Sequence, residues 1–93
     1  MAKMADCRAV TIVNKLGLHA RAAAKFVTLA SGFASQITLK RGEREVNGKS
    51  IMGVMMLAAG RGTVIEICAE GDDAGEAIDK LATLIEDRFD ESE

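Results

Sequence analysis

His19 is the one imidazole in the chain. It falls between Lys15-Leu16-Gly17-Leu18 and the alanine run Ala20-Arg21-Ala22-Ala23-Ala24, whose composition predicts a helix. A residue at a helix start lies beside backbone N–H groups that have no intrahelical partner and carry partial positive charge. Such a spot attracts phosphate or another anion. The same field disfavours the imidazolium, so a neutral ring with a nitrogen lone pair is expected, and that lone pair can act as a nucleophile. Arg21 adds fixed charge two residues on and can fork onto phosphate oxygens. Gly17 allows a tight turn with no side chain in the way. The parts suit a histidine that accepts and releases a phosphoryl group. They also suit a polar helix cap with a solvated arginine beside it, the commoner role for a lone histidine at a helix start, and spacing alone supports the anion site only weakly.

The elements that must position His19 follow from the hydrophobic pattern. Arg8 to Val13 alternates, with Val10 and Ile12 on one face, and reads as a strand. Ala20 to Ser31 reads as a helix with Ala23, Phe26, Val27 and Ala30 as its inner stripe, closed by a left-handed Gly32. Ile37 and Leu39 mark a second strand, Arg41-Gly42 a hairpin turn, and Glu43 to Val46 a third strand. Asn47-Gly48 turns the chain again. Ser50 reads as the cap of a short helix, Ile51 to Leu57. Thr63 to Ala69 is a fourth strand, and Asp73 with Glu76 suggests a capping box for a last helix, Ala74 to Arg88. Glu91-Ser92-Glu93 reads as a frayed tail. Short strands with one apolar face each predict an α+β fold. It is a two-layer open-faced sandwich, β-α-β-β-α-β-α, with a four-stranded antiparallel sheet and three helices on one face.

Bulk properties exclude several functions. Ninety-three residues make one domain, 1–93, with an ordered core of about 8–88. A net charge of −2 and only three aromatic residues argue against nucleic-acid binding. The longest apolar run, Val54 to Ala59, is too short for a membrane span, and the amino end lacks the apolar core of a signal peptide, so a cytoplasmic chain is expected. Cys7 and Cys68 are too few and too far apart for a metal motif or a disulfide framework and are read as reduced thiols. No metal or cofactor is expected. Val54 and Leu57 should be core. A helix this short cannot bury every side, so some of Met52, Met55 and Met56 should face solvent, where flexible thioethers suit a surface that meets several partners.

Gly-Leu-His-Ala-Arg at residues 17–21, followed at its proper distance by Lys49-Ser50-Ile51-Met52, strongly resembles the HPr phosphocarrier family of the bacterial phosphotransferase system. The likeness runs from Arg8 to Arg88. It implies that His19 is phosphorylated on its pros nitrogen by enzyme I and passes the group to an enzyme II A component or a related regulatory protein. It implies that Arg21 stabilises the phosphoryl group, with Gly17, Ala20, Arg21 and Ala22 as the phosphate-binding segment. Ser50 matches a serine modified by a dedicated kinase/phosphorylase in some bacteria, and Ile51, Met52, Met55 and Met56 match an exposed docking surface. The carrier is expected to be a monomer rather than a stand-alone turnover enzyme. Ala22 departs from the family's usual proline; alanine restores an N–H that could donate to the phosphoryl group. Asn14-Lys15-Leu16 looks closer to the nitrogen-related or α-proteobacterial branches. A regulatory or small-anion-binding module without phosphoryl transfer is the alternative.

Overall fold

The computed structural model describes residues 6–90. The chain runs β1 (Asp6–Thr11), α1 (Ala20–Ala30), β2 (Gln36–Arg41), β3 (Arg44–Asn47), α2 (Ile51–Met56), β4 (Val64–Glu70) and α3 (Ala74–Glu86), ending in a short 3-10 turn, Arg88–Asp90. The strands form one antiparallel sheet in the order β1-β4-β2-β3. Alternation places Ile65, Ile67 and Ala69 of β4 under the helices, where they join Phe26, Ile37, Leu39, Ile78, Leu81 and Ile85 in one buried apolar cluster. The expected element order, α+β class and open-faced sheet are all present. The stripe Ala77, Ile78, Leu81 and Ile85 of α3 is buried as its 3.6-residue period requires.

Three local expectations are corrected. Gly32 does not have a positive φ; α1 instead closes with Ser31 in the right-handed region, its N–H bonded to the Val27 carbonyl. Asp73 makes no capping bond to α3. Its carboxylate reaches across to the α1–β2 loop and accepts from the N–H of Ala34 (2.8 Å), the N–H of Ser35 (2.9 Å) and the Ser35 hydroxyl. Glu76 pairs with Lys80 one turn on instead of boxing the cap. Third, Cys7 and Cys68 are not separate thiols. With β1 beside β4 they are direct cross-strand partners, 4.0 Å apart at Cα, and they form a disulfide. A sequence separation of 61 says nothing about distance once the sheet order is fixed.

The carboxyl end also departs from a simple helix. The last helix stops at Glu86, two residues short of the expected Arg88, and Arg88, Phe89 and Asp90 all take left-handed φ values of 58°, 55° and 62°. Each such residue costs about 1–2 kcal/mol. The conformation drives the Phe89 ring into the core, where it is fully buried, a gain of roughly 1.5–3 kcal/mol that offsets part of the cost. Lys25 of α1 donates to the Phe89 carbonyl at 2.6 Å and ties this turn to the helix that starts at His19. The expected tail, Glu91-Ser92-Glu93, lies outside the described residues.

The three donors on Asp73 hold its carboxyl below the ordinary aspartate range, the Ser35 hydroxyl contributing most and the Ala34 N–H next. A folded-state value lowered this way stabilises the fold at neutral pH, and the contribution is lost as pH falls through the folded value. Asp73→Ala should therefore lower the melting temperature at pH 7. Its deficit against the parent should shrink steadily below about pH 4. A deficit that persists unchanged into strong acid would show that the ionised carboxylate is not what holds the loop.

Candidate functional site

His19 is the N-cap residue of α1, in extended backbone (φ −75°, ψ 177°), with its carbonyl accepting the first helical bond from Ala23 at 2.8 Å. Its side chain is half-buried and stays out of the apolar cluster. The ring turns back on the helix: Nδ1, the pros nitrogen, accepts from the Arg21 N–H at 3.2 Å. That contact puts a lone pair on Nδ1 and aims it into the helix start. The cap reading and the nucleophile reading thus describe one geometry.

The approach to His19 is fixed by a close backbone contact. Leu18 donates its N–H to the Ala59 carbonyl at 2.9 Å. Gly17 sits at φ +67° against the same segment; a Cβ there would stand 2.6 Å from the Ala59 oxygen and 2.8 Å from Gly60 Cα. Only glycine meets both demands. The Gly17 N–H is spent on the Asn14 carbonyl (3.2 Å), and its own carbonyl accepts from the Asn14 amide (2.9 Å). Gly17 thus shapes the loop by steric absence rather than offering an N–H to an anion. Asn14, fully buried, was not singled out from sequence, because nothing in an Asn-Lys-Leu stretch reveals that its side chain will cross-brace the turn.

Ala20 and Arg21 are exposed and Ala22 is buried. All three lie in the first turn of α1, where N–H groups lack an intrahelical carbonyl. The Arg21 N–H is occupied by the histidine ring. The Arg21 side chain lies at the surface, able to swing onto an anion held at the helix start.

The segment that seats Gly17 follows α2, so His19 and α2 are joined through one loop. Ser50 caps α2 as expected, its hydroxyl accepting from the Gly53 N–H at 3.1 Å. Val54 and Leu57 are fully buried, while Ile51 (43%), Met52 (75%), Met55 (41%) and Met56 (64%) are exposed. Leu16, in the histidine loop, is also 67% exposed; the sequence did not single it out because no periodicity governs a loop. The carboxyl end of α2 is held by arginines from the β2–β3 hairpin. Arg41 donates to the Leu57 and Ala58 carbonyls, both at 2.9 Å, and Arg44 to Met56 at 2.6 Å. These cations complement the negative end of the helix dipole.

Two concavities among the described residues, one at the β2–β3 end and one beside Gly71, are lined by none of these residues. A shallow groove of about 600 Å³ lies at the β2–β3 end, lined by Gln36, Thr38, Glu45, Asn47 and Lys49 among others. Among the described residues, one group has the spacing of metal ligands, Cys7, Glu66 and Cys68; its two sulfurs are bonded to each other. No helix among the described residues is long and apolar enough to cross a membrane.

Comparison with known proteins bears on this geometry. Residues 7–87 match the family described as the PTS HPr component phosphorylation site. The chain is 55% identical over 86 residues to a phosphocarrier protein HPr of Cupriavidus necator, covering 92% of this chain and 97% of that one. Among solved structures, it superposes on HPr of Thermoanaerobacter tengcongensis (crystallised as HPr-C-His) with a TM-score of 0.91 and 49% identity, covering 95% and 99% of the two chains. It is also similar to a structure described as an HPr dimer from the same organism, with a TM-score of 0.75 and 52% identity over 88% of this chain and 94% of that one.

The Gly17 contact yields a direct test. Gly17→Ala adds a left-handed penalty and a clash with backbone that cannot yield cheaply. It should cost about 1–3 kcal/mol of stability. It should also shift the backbone amide resonances of Leu18, His19, Ala59 and Gly60. A variant with parent stability and unshifted resonances would mean the contact does not set the loop.

Proposed function

The chain belongs to the HPr family and is a phosphoryl carrier of the phosphotransferase system, and on that footing we propose that His19 is the residue that carries the group, on Nδ1. The observation that carries this reading is the N-cap geometry: an imidazole lone pair already aimed at the N–H groups of a helix start. In the transfer, Nδ1 attacks the phosphorus of the charged donor, an N–P bond forms, and the donor's bond to phosphorus breaks. The phosphoryl group brings about two negative charges. The Arg21 N–H leaves the ring nitrogen and turns to a phosphoryl oxygen, joined by the unpartnered N–H groups of the first turn and by the Arg21 guanidinium. The Ala22 N–H, absent where proline stands, adds a further donor. Passing the group on reverses these steps and restores the cap.

The donor in this reading is enzyme I and the acceptor an enzyme II A component or a related regulatory protein, all met in the cytoplasm. Both must read one face in turn, which favours a small exposed patch and quick release. Ile51, Met52, Met55 and Met56 supply that patch beside the histidine loop. Because donor and acceptor share it, the carrier works as a monomer with the face uncovered.

Incubation with phosphoenolpyruvate and enzyme I tests the assignment. The parent should take one acid-labile, base-stable phosphoryl group; His19→Ala should take none. The same variant should lose only about 1 kcal/mol of stability, the worth of a helix cap. Arg21→Ala should still be labelled, but transfer more slowly. Label retained by His19→Ala overturns the assignment.

Ser50 is proposed as a control point on the same patch. It borders Ile51 and Met52, and a dianion there must be partly desolvated when a partner docks. Ser50→Asp keeps a capping oxygen for the Gly53 N–H and adds charge. It should melt close to the parent yet accept the phosphoryl group from enzyme I more slowly. Loading at the parent rate would leave Ser50 a helix cap and nothing more.

A further inference from the structure

We propose that Cys7 and Cys68 form a reversible thiol–disulfide site that exchanges electrons with dithiols, entered at the Cys7 sulfur. The two residues are register partners on adjacent antiparallel strands. Their Cα separation of 4.0 Å is nearer the closely spaced type of cross-strand pair, in which side chains approach most closely. They lie on the sheet's open face, opposite the side where Ile65, Ile67 and Ala69 meet the helices.

The two sulfurs are not equivalent. Cys7 is exposed and stands on β1, an edge strand bonded on one side only. Cys68 stands on the interior strand β4 and is 5% exposed. An incoming thiolate must approach the sulfur under attack in line with the S–S bond, so only Cys7 can be reached. Cys68 is then the leaving sulfur. Glu66, two residues before it on the same face, holds a carboxylate oxygen 3.7 Å from Cys68 Sγ. A carboxylate oxygen at that distance is an acceptor for the Cys68 S–H once it forms.

The exchange balances as follows. One thiolate of the dithiol attacks Cys7 Sγ; the Cys7–Cys68 bond breaks, and Cys68 leaves with the electron pair and takes a proton. The second thiolate of the reductant attacks its own sulfur in the mixed disulfide and releases Cys7, which takes another proton. The dithiol is oxidised to a disulfide, and the protein gains two electrons and two protons. Glutathione, a monothiol, stops at the first step when it is not in excess. The site lies at the start of β1, whereas β1 leads into the histidine loop from its other end. The bond therefore fastens the amino-terminal strand to the sheet without touching His19.

Equilibrating the full chain in dithiothreitol buffers of graded oxidised-to-reduced ratio tests the site, with thiols counted by alkylation and mass spectrometry. The folded protein should pass through one two-electron transition in which both cysteines change together. Limiting glutathione should be trapped on Cys7 and not on Cys68. The reduced form should melt lower than the oxidised form by on the order of 10 °C, and Cys7→Ala/Cys68→Ala should match the reduced form in either buffer. Two results overturn the proposal: thiols that stay reduced in excess oxidised dithiothreitol, or a disulfide that yields to reductant only after denaturation. Glutathione found on Cys68 overturns the direction of attack.

Discussion

One carbonyl oxygen, that of Ala59, decides where the histidine stands. It accepts the Leu18 N–H and leaves no room for a side chain on Gly17. Everything at the site refers back to it. The loop cannot slide because Gly17 is wedged against backbone, and it cannot unwind because Asn14 braces it from beneath. Ala59 is in turn held by what precedes it: α2 is anchored by buried Val54 and Leu57, and its end is gripped by Arg41 and Arg44 from the neighbouring hairpin. Two segments some 40 residues apart thus share one hinge of backbone contact, and the candidate nucleophile and the apolar patch are set against each other by it.

The sequence was most legible where a pattern is local. Alternation located the strands, the 3.6-residue stripe located α1 and α3, and Ser50 was readable as a cap because a hydroxyl before an apolar run has few other uses. It was least legible where a residue serves an element distant in sequence. Asp73 looks like a helix cap from its neighbours and acts as a clasp for Ala34 and Ser35 because β4 delivers it beside that loop. Cys7 and Cys68 look unrelated until the order β1-β4 makes them partners. Phe89 lies just past the expected helix, and the left-handed turn that brings its ring inward, offset in part by the burial of that ring, has no local signal in the sequence.

The site residues divide along the same line. His19, with its ring turned to the helix start, could be anticipated from its place before an alanine run. That Gly17 leaves room follows from its type and place, but that the room is taken by the Ala59 carbonyl could not be read, since that oxygen comes from another part of the chain. The exposure of Met52, Met55 and Met56 follows from size: six residues of helix, with only Val54 among them turned inward and the C-cap Leu57 beside it, leave the other apolar side chains outside. Family resemblance named these positions; the packing explains why they stay available.

The histidine cap has a consequence for the energetics of the carrier itself. A ring nitrogen 3.2 Å from one N–H is a modest cap, whereas a phosphoryl group at the same place presents several anionic oxygens to the same helix end. The cargo is thus a better terminus for α1 than the side chain that bears it. In the proposed cycle the fold is tightened by loading and relaxed by unloading. Part of the free energy of each transfer then resides in the conformation of the first helix and not in the N–P bond alone.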